Sequence, residues 1–146
     1  MKTPFLVGRI LFGGFFLYSG INHLVRRREL AQYARAKGVP LAEQGVPLSG
    51  ILLLIGGSSI LLGLKPKLGA AAIVTFLASA APAIHDFWTA QDPQVRQNEM
   101  IHFMKDVALL GAALALTGNE EPWDVSIPFR TRKPSLLESA RRLLVA

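Results

Sequence analysis

The chain has 146 residues, enough for one domain, and is 51% hydrophobic with a mean hydropathy of +0.35. It carries 16 Lys and Arg against 10 Asp and Glu, and it has no cysteine, which excludes a disulfide framework, thiolate metal ligation and a thiol relay within the chain. Removing the apolar runs leaves no aromatic-studded basic surface, so nucleic acid is not an expected partner. Apolar and basic character together fit a protein whose partner is the lipid bilayer and whose charges gather in loops facing anionic headgroups.

A helix that crosses a bilayer needs about 20 mostly apolar residues, because roughly 30 Å of hydrocarbon is covered at 1.5 Å per residue. The first such run is residues 5–25. Lys2 ahead of it imitates a signal peptide, but Arg9 interrupts the run and no A-x-A-like exit follows, so a retained helix is expected. Residues 26–37 are basic, with Leu30, Tyr33 and Ala34 on one face, and stop at Gly38 and Pro40; they predict a short interfacial helix. The second crossing is residues 47–64, with a start near Leu41 also open. The third is residues 68–88, where Pro82 predicts a kink near the exit. The fourth starts behind Asp92-Pro93, an N-cap and first-turn pair, and ends near Thr117-Gly118.

The tail beyond it contains Ser135-Leu-Leu-Glu138, a capping box, and then sets Ala140, Leu143 and Leu144 against Arg141 and Arg142. That pattern predicts a helix lying on the membrane surface. Gly50, Gly56, Gly57 and Gly63 in the second crossing, and Gly69 to Ala72 in the third, supply the small residues through which helices approach closely in lipid. The expected fold is all-α: a transmembrane four-helix bundle with short interfacial amphipathic helices. Residues 1–118 form the bundle and residues 119–146 a basic tail. Four crossings put both termini on one side. Eight basic residues lie there against six on the other, leaving aside those within spans, so the positive-inside rule places the termini in the cytoplasm. Arg26-Arg27-Arg28 beside the first crossing pulls the other way.

Ionisable groups within a span cost roughly 2.5–3.5 kcal/mol each on insertion scales and normally find partners in the bundle interior. Here they are Arg9, His23, His85, Asp86, Glu99, His102, Lys105 and Asp106. At 100° per residue Arg9, Gly13, Phe16, Gly20 and His23 share one stripe of the first crossing. Asn98, His102, Lys105, Asp106, Leu109 and Ala113 share one stripe of the fourth, and both stripes are expected on one interior seam. Counting from the end of the fourth crossing puts Lys105 and Asp106 near mid-membrane, so a structural ion pair between Arg9 and Asp106 is predicted.

All three histidines fall at the opposite end, where His23, His85, Asp86, His102 and Lys105 converge. Metal is not expected there, because His85 and Asp86 are adjacent rather than spaced for ligation on a helix. The group suits hydrogen bonding to the carbonyl of a quinone and relay of its protons. The competing reading has the same residues capping helices and anchoring at headgroup level, with Trp88 and Tyr18 as belt aromatics.

The chain resembles the DoxX family of small four-span membrane proteins. The likeness rests on Gly8-Arg9-Ile10, on the run Ser19-Gly20-Ile21-Asn22-His23-Leu24, and on Gly56-Gly57 with Leu62-Gly63-Leu64. It continues in His85-Asp86-Phe87-Trp88, in His102-Phe103-Met104-Lys105-Asp106 and in Ala108-Leu109-Leu110-Gly111. It covers roughly residues 5–118. The family often reads Lys-Asn where this chain has Lys105-Asp106, so Asp106 adds a charge.

The resemblance implies a four-helix membrane architecture in the cell membrane. For some members it implies service as the membrane subunit of a thiosulfate:quinone oxidoreductase, and for others a place in oxidative-stress complexes. Related four-span proteins act as assembly factors without catalysis. The expected reading is a quinone-associated membrane subunit with no covalent cofactor, whose electrons come through a partner subunit or soluble donor; the alternative is a non-catalytic membrane scaffold or assembly factor, and a homo-oligomer is also open.

Overall fold

The computed structural model describes residues 3–119 and Trp123. Among the described residues the structure is helical, with five helices: α1 (Thr3–Val25), α2 (Arg27–Ala36), α3 (Ala42–Leu62), α4 (Pro66–Ile84) and α5 (Pro93–Thr117). Helices α1, α3, α4 and α5 have 23, 21, 19 and 25 residues and are apolar enough to cross a membrane. The second crossing starts at the earlier of the two positions open in the sequence, one residue past Leu41. The third stops at Ile84, four residues short of its expected end and two past Pro82. The amphipathic helix expected at residues 135–144 lies outside the described residues.

Local chemistry sets the helix ends. Asp92 Oδ1 accepts the backbone N–H groups of Gln94 and Val95 at 2.8 and 3.0 Å, which caps α5 as its sequence predicts. Gly63 takes a positive φ of 70° after α3, and Leu64 N–H returns to the Ser59 carbonyl, a turn that needs a residue without a Cβ. Gly38 does the same after α2 with φ of 78°.

The helices pack in the series α1–α3–α4–α5, with α2 folded under the start of α3. Glycines let the backbones of α1 and α3 touch. A Cβ on Gly57 would sit 2.5 Å from Leu17 N, and one on Gly13 would sit 2.8 Å from Leu61 N. In lipid, where burial of apolar surface gives helices little reason to associate, this close van der Waals contact holds the pair. The stripe expected on α1 is therefore the buried one, and Arg9, Gly13, Phe16 and Gly20 are its buried residues. Its Gly13 and Gly20 face α3 rather than the fourth crossing, because α3 carries the matching small residues Gly50 and Gly57. The main core gathers Phe16, Leu53, Ile60, Ile73 and Leu77. A second cluster, Ala31, Ala34, Ala42 and Val46, seats α2 on α3. Helix α5 is the least enclosed crossing, and Ala113 is its one buried residue.

Candidate functional site

The site forms where α1 and α4 leave the bundle and α5 enters it. Helix α1 brings His23 to its last turn. Its Nδ1 lies 2.8 Å from the Ser19 carbonyl; a carbonyl only accepts, so the Nδ1 proton is donated there and Nε2 is left for another partner. The ring stands edge-on to Phe76 of α4 at 5.7 Å. His85 terminates α4 and turns back toward α5, with Nδ1 2.8 Å from Glu99 and Nε2 3.7 Å from Asp106.

Glu99 uses its other oxygen to accept from Lys37 at 3.0 Å, and Lys37 also donates to Asp86 at 2.9 Å. The far oxygen of Asp86 accepts the Thr89 hydroxyl at 2.6 Å. A continuous polar string thus runs from the α4–α5 loop through Asp86, Lys37, Glu99 and His85 to Asp106. Burial disfavours the Lys37 ammonium, but hydrogen bonds to Asp86 and Glu99 outweigh it and hold its pKa above the ordinary lysine value. The Thr89 hydrogen bond and then the Lys37 ammonium pull the Asp86 carboxyl down to about 2.

Behind His23 and His85 lies a cavity of about 380 Å³. Ala34, Val39, Ala42, Val46, Ala83 and Ile84 give it apolar walls, Phe76 an aromatic one, and Ser49, Ser79, His23, His85 and Asp106 its polar atoms. The two serines already donate to helix carbonyls, at Val46 and at Thr75 or Phe76, so the histidines are the ring donors and acceptors that face the space. Such a chamber, mostly apolar with a few convergent polar groups, is the usual form of a small-molecule site.

The expected residues separate into three positions. His23 and His85 line the cavity. Asp86 stands at the surface end of the polar string. His102 lies outside the cavity, its ring stacked on His85 at 5.2 Å, and Lys105 approaches His102 at 3.4 Å with half its side chain exposed. Among the described residues no set of three His, Cys, Asp or Glu side chains is arranged to hold a metal ion.

The predicted Arg9–Asp106 pair is not formed. Among the described residues the ion-pair partners of Asp106 are His85, at 3.7 Å, and Lys105, at 3.9 Å. Asp106 shares the cavity with His23 and faces His85, one residue past the end of α4. Arg9 is 14 residues from His23 along α1, about 21 Å, which no arginine spans. Arg9 is instead buried beneath Trp123, 5.9 Å from the ring centroid, while Trp123 packs edge-on against Phe5.

Two residues of the string, Lys37 and Glu99, were not among the expected binding residues. Glu99 carried a signal, since it lies seven residues before Asp106 and so on the same helical face. Lys37 carried none, because only the fold brings a lysine from the α2–α3 turn against the α4–α5 loop.

The DoxX family model matches residues 5–86, which takes in α1 to α4 with His23, His85 and Asp86. The match ends before α5, so Glu99, His102 and Asp106 lie past it, although the sequence resemblance was drawn to residue 118. No curated protein and no solved structure matches the chain. With a family match over more than half its length and four crossings in its fold, this integral membrane protein belongs to the DoxX family.

Proposed function

We propose that the cavity takes the head of a membrane quinone and that the chain is the quinone-associated membrane subunit of an oxidoreductase, of the thiosulfate:quinone or oxidative-stress kind. The observation that carries this reading is an apolar chamber at the membrane end of the bundle with His23, His85 and Asp106 at its polar side. A volume near 380 Å³ suits a single substituted ring. A bound quinone would supply two-electron, two-proton chemistry. The residues of this chain then have separate tasks. With Nδ1 of each ring donating to Ser19 or Glu99, His23 and His85 donate from Nε2 to the carbonyl oxygens only when doubly protonated, so they hold the head and carry its protons together, and Phe76 offers its ring as a wall.

Asp106 and Glu99 flank His85 and move protons between it and the surface. The string sets one lysine, Lys37, against the three carboxylates of Asp86, Glu99 and Asp106, so acidic groups predominate around His85. Electrons enter through a partner subunit or soluble donor. We place the protein in the plasma membrane with its termini in the cytoplasm.

Purification in mild detergent followed by mass spectrometry of co-purifying lipids tests this reading. Quinone retained by the wild type and lost from His85→Ala supports it; a stoichiometric protein partner without quinone would favour a non-catalytic scaffold. That second reading draws on α5, whose Ile101, Met104, Val107 and Leu114 are exposed and available to a partner subunit or a second copy.

A further inference from the structure

Helix α2 carries a charge that its own carboxylates do not neutralise. Arg26 is paired with Glu29, at 2.9 and 2.5 Å, and Arg35 is paired with Glu43. Among the described residues Arg27 and Arg28 make no hydrogen bond or ion pair. They follow Val25, the last residue of a membrane-crossing helix, so they stand at headgroup level. With Ala31 and Ala34 of α2 buried against Ala42 and Val46, the arginine side of the helix is turned outward.

Two hollows meet at this pair. One, of about 400 Å³, is lined by Arg27, Arg28, Ala31, Gln32, Arg35 and Glu43. Because Arg35 cancels Glu43, its surplus is the two positive charges of Arg27 and Arg28. The other, of about 480 Å³, runs from the same two arginines to Leu24 and Val25 at the end of α1. Below Val25 the apolar surface continues down α1 through Ile21 and Tyr18, all three exposed at helical spacing.

We infer that Arg27 and Arg28 form a site for the headgroup of an anionic phospholipid, whose acyl chain lies along Val25, Ile21 and Tyr18. The guanidinium is a planar fork of N–H donors that suits the two free oxygens of a phosphodiester, and Gln32 adds a neutral donor beside them. A soluble phosphate ester would satisfy the arginines but leave the apolar strip unused, and an acidic peptide would have to enter at headgroup level. The lipid is the one anion that supplies both halves and is already at that depth. The site is separate from the cavity and does not depend on what the cavity holds.

Native mass spectrometry of the full chain in detergent tests this, with dioleoylphosphatidylglycerol and dioleoylphosphatidylcholine added in turn. The wild type should retain phosphatidylglycerol roughly tenfold better than phosphatidylcholine. The exposed double variant Arg27→Gln, Arg28→Gln should lose that preference while melting as the wild type does, and Arg26→Gln should keep it. Equal retention of the two lipids by the wild type, or an unchanged preference in the double variant, would overturn the proposal. Displacement of the lipid by millimolar glycerol phosphate would also overturn it, by assigning the site to a soluble anion.

Discussion

Lys37 Nζ lies 3.0 Å from Glu99 Oε1, and the two residues are 62 positions apart in the chain. With the second bond from Lys37 to Asp86, this contact ties the turn after α2 to the end of α4 and the start of α5. It therefore joins the elements on either side of the cavity. Both side chains are mostly buried, which puts the contact between an exposed ion pair, worth under about 1 kcal/mol, and a fully buried one. Lys37→Met should lower stability by roughly 2 kcal/mol, since it strands two carboxylates. Thermal melting in detergent should show this, and Lys37→Met combined with Glu99→Gln should cost less than the sum of the two single changes.

The same string sets a pH dependence. Asp86 is held at about 2 against an ordinary value of 3.8, so its stabilisation is complete above about 4 and is lost as pH falls toward 2. Lys37 is raised above its ordinary 10.5, so its stabilisation is complete below that value and fades only in stronger base. The melting temperature should show a plateau between these limits with an acid limb below pH 4. That limb should shrink in Lys37→Met. A limb of unchanged size would mean that Asp86 owes its low pKa to Thr89 alone.

Gly57 and Gly111 should respond oppositely to alanine. A Cβ at Gly57 meets the backbone of α1, which has no side chain to move aside, so Gly57→Ala should cost about 1–3 kcal/mol or dissociate α1 from α3. A Cβ at Gly111 meets nothing within 4 Å, and Gly111→Ala should be neutral or stabilise α5 by up to about 1 kcal/mol. Comparative melting of the two variants decides whether glycine serves contact at one site and not at the other.

Arg9 and Asp106 should behave as independent sites. Arg9→Gln and Asp106→Asn each remove a group with its own partners, so their effects on stability should add within about 0.5 kcal/mol. Asp106→Asn and His85→Ala should instead be coupled, because the two side chains lie 3.7 Å apart.

The crossings were legible in the sequence because hydropathy and length alone define them, and because Asp92 and Gly38 announce helix ends by their own chemistry. The buried stripe of α1 was legible from its period of 3.6. What it packs against was not, since periodicity gives a face and not a neighbour; the Gly13 and Gly57 contact decides that. The convergence of His23 and His85 followed from counting residues to each exit. The partner of Asp106 was not legible because residue counting along α1 and α5 gives depths and not neighbours, and the fold sets His85 beside it. Lys37 was invisible because a single lysine in a turn looks like any solvated charge until the fold supplies two carboxylates.

The central claim is that the cavity between His23 and His85 holds a quinone head. Calorimetric titration of the purified full chain with ubiquinone-1 in mild detergent measures it directly. Saturable binding of one molecule per chain is expected, weakened tenfold or more in His85→Ala and in His23→Ala and unchanged in Arg27→Gln. Absence of saturable binding to the wild type, or binding indifferent to both histidines, would contradict it.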